Sequence, residues 1–269
     1  MIATDFAVNT FSYIWQKPFA DTAEHLAGLG YRAFEVLLTA PHLWPADCDA
    51  AARRDLIGRL RARGLSVVSL NVGGFDNNLA SPGSDVRANS IALMESAIDL
   101  CGDLDGADLV LSPGTARALS APPREWMLNW FRQAMEILVP RAEARDVRLL
   151  IENIPYSFLP DVAGIMAAID DLPTVVGVIY DVANGVYIDE DPVAAIERIG
   201  ARLHLVHLSD TPLDVWRHAP VGQGVVPFGE IGDALRRIGY AGSNVLEIIS
   251  DQPDADIRAS ADALVDMGW

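Results

Sequence analysis

The chain has 269 residues, of which 51% are hydrophobic, and its formal net charge at pH 7 is -17. This length and hydrophobic content are sufficient for one large core, and the excess of acidic side chains would repel a polyanion. We therefore expect no nucleic-acid partner. No linker or low-complexity segment divides the chain, so residues 1–269 are predicted to form a single domain.

The cysteines and the N-terminal segment indicate a cytoplasmic protein. Cys48 and Cys101 have neither metal-binding nor redox spacing and suit a reducing compartment. The opening MIATDFAVNTF lacks the basic and apolar regions of a secretory signal. No apolar run reaches about 18 residues, the usual minimum for a membrane span. The sequence therefore predicts cytoplasmic localisation and no membrane partner.

Short Leu-rich or β-branched runs alternate with longer amphipathic segments along the chain. The predicted strands are 6–11, 33–38, 65–72, 107–112, 147–153, 174–181, 203–209 and 244–249. A typical intervening helix is 48–63, where Leu56, Ile57 and Leu60 have helical spacing and Gly64 follows as a stop signal. A closing helix is predicted near 254–267.

Eight strand–helix pairs in about 250 residues predict an α/β fold, a single (β/α)8 TIM barrel, with its active site at the C-terminal ends of the strands. The alternative is an open, doubly wound sheet. That fold usually has a Gly-rich phosphate-binding turn after its first strand, and the segment NTFSYIWQ is not such a turn.

Ionisable side chains lie at the ends of the last four predicted strands. Glu152, Asp181, His207 and Glu247 occupy these positions. Three carboxylates at one end of a packed barrel would repel one another, and a divalent cation removes that conflict. Three oxygen donors and one imidazole suit Mn2+, Mg2+, Co2+ or Zn2+ better than a thiolate-preferring metal. The sequence predicts that these four residues bind one divalent ion.

Each of these residues taken alone has a simpler interpretation. Asp181 could cap the following helix, and His207 could be a core histidine bonded to a backbone carbonyl. His204 lies three residues before His207, so alternation turns it to the other face of the strand. We interpret His204 as structural.

The segments LLIENIP, GVIYDVANG, LHLVHLSDT, WRHAPVGQG and VLEI resemble the xylose isomerase-like barrel superfamily. This group includes sugar phosphate isomerases and epimerases, ketose 3-epimerases, inosose and dehydroshikimate dehydratases, and endonuclease IV. The resemblance extends over essentially the whole chain and is most specific in its second half. In the epimerase branch a Glu, an Asp, a His and a Glu from strands five to eight bind one divalent metal. The resemblance gives these roles to the same four residues, with Mn2+ as the preferred ion.

The resemblance also implies substrate-binding residues. Arg217 belongs to a loop that reaches back over the metal, and its planar cation suits sugar hydroxyls, a carboxylate or a phosphate; a surface salt bridge is the alternative. Asn184 replaces a histidine common in the family, and it can bond a hydroxyl but cannot transfer a proton. His218 stands where endonuclease IV has a ligand for an additional zinc, and Trp216 stands where that enzyme has an aspartate.

Aromatic and histidine side chains on the first two loops are further candidates for substrate binding. Trp15, His42 and Trp44 are expected to line the same face and to contact the apolar side of a sugar ring. Ordinary loop packing is the alternative for each of them. Tyr156 and Phe158, on the loop after Glu152, have the same two interpretations.

The predicted function is isomerisation or epimerisation of a sugar, sugar phosphate or cyclitol by proton transfer through a metal-stabilised enediolate. Glu152 and Glu247 are the predicted acid–base residues, one on each side of the planar intermediate. Dehydration of an inosose or dehydroshikimate-type substrate is the alternative, and the preference for an isomerase rests on the family alone. An endonuclease IV-like phosphodiesterase and a non-catalytic subunit are less favoured. The expected partners are a small polyhydroxy-ketone and copies of the chain in a dimer or tetramer.

Overall fold

The computed structural model describes residues 6–73, 76–105, 107–116 and 119–269. Its eight parallel strands form a closed barrel in chain order, and the last strand pairs with the first. The strands are β1 (Ala7–Asn9), β2 (Ala33–Leu37), β3 (Ser66–Asn71), β4 (Asp108–Leu111), β5 (Leu149–Glu152), β6 (Val176–Asp181), β7 (Leu203–Leu208) and β8 (Ser243–Leu246). The predicted (β/α)8 barrel is confirmed, and each predicted strand has an observed counterpart that differs only in its terminal residues.

Helices follow the strands and cover the outside of the barrel. They are α1 (Phe19–Gly28), α2 (Ala50–Ala62), α3 (Ser84–Asp103), α4 (Arg124–Ala144), α5 (Val162–Ile169), α6 (Val182–Tyr187), α7 (Pro192–Ile199), α8 (Phe228–Arg237) and α9 (Pro253–Asp266). The predicted helices at 48–63 and 254–267 correspond to α2 and α9. Helix α2 is capped by Asp49, whose Oδ1 accepts the amide hydrogens of Ala51 and Ala52. The chain leaves α2 at Gly64, where φ is 62° and glycine is favoured.

Two successive layers of side chains fill the barrel interior. The lower layer is apolar and consists of Ala7, Val110, Leu150, Ile179, Leu205 and Val245. Because side chains alternate along a strand, the residue two positions further on points to the same interior. On β5 to β8 this step leads from the apolar layer to Glu152, Asp181, His207 and Glu247. The predicted ligands therefore lie on an apolar floor at the C-terminal end of the barrel.

The main hydrophobic core lies between the strands and the surrounding helices, and it includes Leu26, Phe34, Leu70 and Phe131. Within the described ranges, no helix is both long enough and apolar enough to cross a membrane. The extent of the domain over residues 1–269 and the cytoplasmic location stay predictions.

Candidate metal centre and substrate cavity

The four strands of the second half of the barrel bring the predicted ligands together. Asp181 and His207 are direct partners in the β6–β7 register. One ligand atom from each of Glu152, Asp181, His207 and Glu247 lies within 4.8 Å of the others, and all four residues are buried. This cluster could hold a metal ion.

The atoms that face the centre of the cluster have unmet bonding capacity. His207 Nδ1 lies 3.0 Å from Glu247 Oε2, 3.4 Å from Asp181 Oδ2 and 3.7 Å from Glu152 Oε1. Among the described residues, His207 Nδ1, Asp181 Oδ2 and Glu247 Oε2 are buried without a hydrogen-bond partner. Buried polar atoms are normally satisfied, and one imidazole nitrogen with several carboxylate oxygens is a donor set that suits a divalent cation. The residues therefore fit a metal.

Asp181 combines two roles that the sequence left as alternatives. Its Oδ1 accepts the backbone hydrogen of Asn184 at 2.8 Å and caps α6, while its Oδ2 faces the cluster. The backbone of Asp181 is also fixed, because the Asn153 amide bonds both its N–H and its carbonyl oxygen. The helix cap thus holds the ligand in place.

Glu35 on β2 is a member of the site that the sequence analysis missed. It is fully buried, and its Oε1 lies 2.6 Å from His207 Nε2. Asn9, Ser69 and Asn71 also donate hydrogen bonds to its carboxyl oxygens. A carboxylate bonded to one ring nitrogen fixes the orientation of a histidine and leaves the other nitrogen for a metal. The sequence feature that could have identified Glu35 is that it is the single acidic residue inside the apolar strand AFEVL, since a buried carboxyl group needs a partner.

The carboxyl group of Glu247 connects this network to the other side of the barrel. Asn9 Nδ2 donates to Glu247 Oε1 at 3.0 Å as well as to Glu35 Oε1 at 2.6 Å. Asn9 ends β1 and Glu247 follows β8, so this bond spans the seam at which the barrel closes.

Burial and mutual charge shift the pKa values of the cluster in different directions. Burial raises the pKa of Glu152 to about 7. Burial alone would raise the pKa of Glu247, but His207 and His218 outweigh it and hold the pKa well below its usual range. Burial alone would lower the pKa of His207, but Glu247 and Glu35 outweigh it and raise the pKa well above its usual range. Protons and a metal ion therefore compete for the same atoms.

We expect metal binding to release protons at neutral pH. The raised pKa values of Glu152 and His207 mean that both groups bind protons near pH 7 in the metal-free protein. A metal must displace these protons, so affinity should increase as the pH rises through 7 and decrease below it. Calorimetric titration with Mn2+ or Zn2+ in buffers of different ionisation enthalpy measures the release. Identical heats in all buffers would contradict this expectation.

A cavity of about 770 Å³ opens above the cluster. Glu152 and Glu247 lie in its wall, together with three residues predicted to bind substrate: Asn184, Arg217 and His218. A cavity of this size can enclose a small organic molecule. The structure thus brings two of the four candidate ligands and these three residues to one concave surface.

Arg217 and His218 differ in how they are held. Arg217 is exposed at the cavity, and its guanidinium makes no salt bridge with any residue that the structure describes. His218 Nδ1 lies 3.1 Å from Glu247 Oε2 and 3.1 Å from Ser209 Oγ. Burial alone would lower the pKa of His218, but Glu247 and Asp181 outweigh it and raise the pKa to about 9. His218 is therefore directed towards the carboxylates of the cluster.

The residues predicted on the first two loops do not line this cavity. Trp15 is 76% exposed, and Trp44 packs against the main core. His42 is buried, with Nδ1 2.8 Å from the Lys17 carbonyl oxygen and Nε2 3.0 Å from Thr10 Oγ1. Both ring nitrogens of His42 are thus used within the protein, and the structure does not bring these three side chains to the cluster.

Other aromatic side chains form the cavity wall. They are Phe11, Tyr156 and Trp216. Phe158 instead is buried and packs edge-on against Phe131. In the sequence, Trp216 stands out only as a replacement for an aspartate, and its place in the wall is not predicted.

The sequence and the fold both match known proteins. A family model described as xylose isomerase-like TIM barrel matches residues 23–267. An L-ribulose 3-epimerase of Mesorhizobium japonicum is 25% identical, over 91% of this chain and 82% of that protein. The crystal structure of a D-tagatose 3-epimerase-like protein superposes with a TM-score of 0.85 at 19% identity, covering 98% of this chain and 96% of the other. A structure of the IOLI protein with a zinc atom has a TM-score of 0.82 at 16% identity, covering 98% and 97%.

Proposed function

The chain belongs to the xylose isomerase-like TIM barrel family, and we propose that it is a metal-dependent epimerase of a small polyhydroxy-ketone such as a ketose. The observation that supports this most is the buried Glu152, Asp181, His207 and Glu247 cluster, whose ligand atoms lie close together beside a cavity that Glu152 and Glu247 line. The similarity to an L-ribulose 3-epimerase favours a sugar as the substrate. Mn2+ as the ion and a dimeric or tetrameric assembly stay predictions.

The proposed chemistry is proton transfer at the carbon next to the substrate carbonyl. A bound divalent cation would polarise that carbonyl and acidify the neighbouring C–H. Glu152 and Glu247 come from β5 and the end of β8, and we assign them to opposite faces of the substrate. One removes the proton and the other returns a proton on the opposite face, which inverts the carbon.

Arg217 is proposed to orient the substrate. Arg217 lines the cavity and its guanidinium has no carboxylate partner among the described residues, so its donors are available to hydroxyl oxygens. Asn184 and His218 flank the same space. This arrangement would fix which carbon lies between the two glutamates.

We expect the metal-loaded protein to introduce solvent deuterium into its substrate. Mn2+-loaded protein would be incubated in D2O with a panel of ketoses, and the products would be analysed by NMR. Deuterium should appear at the carbon next to the carbonyl together with the epimer. Chelation should abolish the reaction, and added Mn2+ should restore it.

Turnover without deuterium would contradict proton abstraction from carbon. A panel in which no ketose is turned over would contradict the proposed function and favour the non-catalytic alternative.

A further inference from the structure

The side-chain amide of Asn184 lies between the loop after β7 and the Glu152 carboxyl group. Asn184 is buried in α6, and its backbone is fixed by the cap from Asp181. The indole Nε1–H of Trp216 donates to Asn184 Oδ1 at 2.7 Å. On the other side, Asn184 Nδ2 lies 3.5 Å from Glu152 Oε1, at the outer limit of a hydrogen bond.

The indole determines which end of the amide faces Glu152. An indole nitrogen can only donate, so it must meet the oxygen of the Asn184 amide. The NH2 group is then directed towards the Glu152 carboxyl group. The reversed amide would leave the indole N–H without its acceptor and would place an amide oxygen opposite a carboxylate oxygen, where two acceptors repel.

Neighbouring rings hold Trp216 independently of this hydrogen bond. Tyr156 meets it edge-on at a centroid distance of 5.5 Å, Tyr187 is stacked at 6.5 Å and His218 meets it edge-on at 5.7 Å. The Tyr156 and Tyr187 hydroxyl oxygens are 3.3 Å apart. The position of the indole is thus set by packing, and its N–H is directed at an amide that is itself fixed.

We propose that Trp216 is a positioning residue: its N–H orients the Asn184 amide, and that amide holds the Glu152 carboxylate for proton transfer. The role of the amide in proton transfer by Glu152 rests on the proposed epimerase function. The orientation of the amide by Trp216 does not depend on that function. Asn184 thus keeps a role at the position where the family often has a histidine, but as a donor that holds the base and not as a group that transfers protons.

The hydrogen bond can be tested without any substrate. The indole N–H signal of Trp216 in a 1H–15N spectrum can be assigned as the signal that disappears in the Trp216→Phe variant. In Asn184→Leu, which removes the acceptor at similar size, exchange of this proton with water should be about tenfold faster than in wild type. The signals of the other tryptophans serve as the control for folding. An unchanged exchange rate would overturn the inference, whatever the enzyme does.

The effect on Glu152 can be tested with Trp216→Phe, which keeps an aromatic ring but removes the N–H. We expect turnover to decrease about tenfold, the upper end of the scale for one hydrogen bond between neutral groups. For the epimer whose C–H faces Glu152, exchange of the α-proton with solvent should decrease together with turnover. For the epimer whose C–H faces Glu247, exchange of the α-proton should be retained, because proton removal by Glu247 does not use Asn184.

The matched control is Trp126→Phe, since Trp126 contacts Trp130 on α4 and lies outside the cavity wall. It should behave like wild type in both exchange reactions. Equal losses for both epimers in Trp216→Phe, or a changed metal content, would overturn the positioning role. If wild type turns over no ketose, the proposed function fails and the indole exchange experiment alone decides the inference.

Discussion

Replacing Glu152 or Glu247 by Gln is expected to lower turnover by a factor of about a hundred or more, the scale of a general acid–base residue. Glutamine keeps an oxygen that can face a metal but cannot accept the substrate proton. Metal should therefore be largely retained while activity is lost. Elemental analysis and turnover of the same samples measure the two effects separately.

Asp181→Asn is the matched control, because it makes the same change in the same cluster at a residue without an assigned proton. At saturating metal it should be clearly more active than either glutamine variant. If the glutamates serve opposite faces, each glutamine variant should still exchange the α-proton of one epimer without completing turnover. Near wild-type rates in both glutamine variants with metal bound would show that these carboxylates do not transfer the proton.

Replacing His207 by Ala is expected to remove most of the bound metal and to destabilise the protein. The variant loses the only imidazole of the proposed ligand set. It also removes the 2.6 Å contact between His207 Nε2 and Glu35 Oε1, and this fully buried oxygen keeps its bonds from Asn9 and Asn71. Loss of one hydrogen bond costs about 0.5–1.5 kcal/mol of the free energy of unfolding. The barrel should stay folded because the change lies at the functional end of the strands. Metal titration and urea unfolding measure the two effects.

Two further variants make this test specific. Glu35→Gln keeps an acceptor for His207 but weakens it, so metal affinity should decrease about 10- to 100-fold, the usual effect of altering a partner of a ligand. His204→Ala is the control on the opposite face of β7, where the ring contacts Arg148. Equal metal content in wild type and His207→Ala would contradict the ligand assignment, and an unchanged dissociation constant in Glu35→Gln would contradict the role of Glu35.

Periodicity explains why the second half of the site could be predicted. Strand ends are marked by a change from apolar to polar residues, and the two-residue period places Glu152, Asp181, His207 and Glu247 in one interior layer. Glu35 was missed because its partner His207 is 172 positions away, and no local pattern connects the two. The same two-residue period predicts that His204 lies on the opposite face of β7. The structure agrees, since the neighbouring Leu205 belongs to the interior layer.

Loop residues were predicted less well because periodicity does not determine the direction of a loop side chain. His42 was expected at the cavity, but the Lys17 carbonyl and the Thr10 hydroxyl hold its ring elsewhere. Trp216, in the cavity wall, packs against Tyr156 and Tyr187 and donates to Asn184, and these residues lie on other loop–helix segments. Such pairings depend on how separate loops meet above the barrel, and they become visible only in three dimensions.

The hydrogen bond between Asn9 and Glu247 links the first strand of the ring to its last. During synthesis, Glu152, Asp181 and His207 leave the ribosome before the strand that carries Glu247 into place. A nascent chain paused before β8 would therefore have three of the four candidate ligands and an open seam beside Asn9. A chain whose ring has not closed would offer a metal three of the four candidate ligands, so we expect its affinity for the ion to be lower than that of the closed barrel.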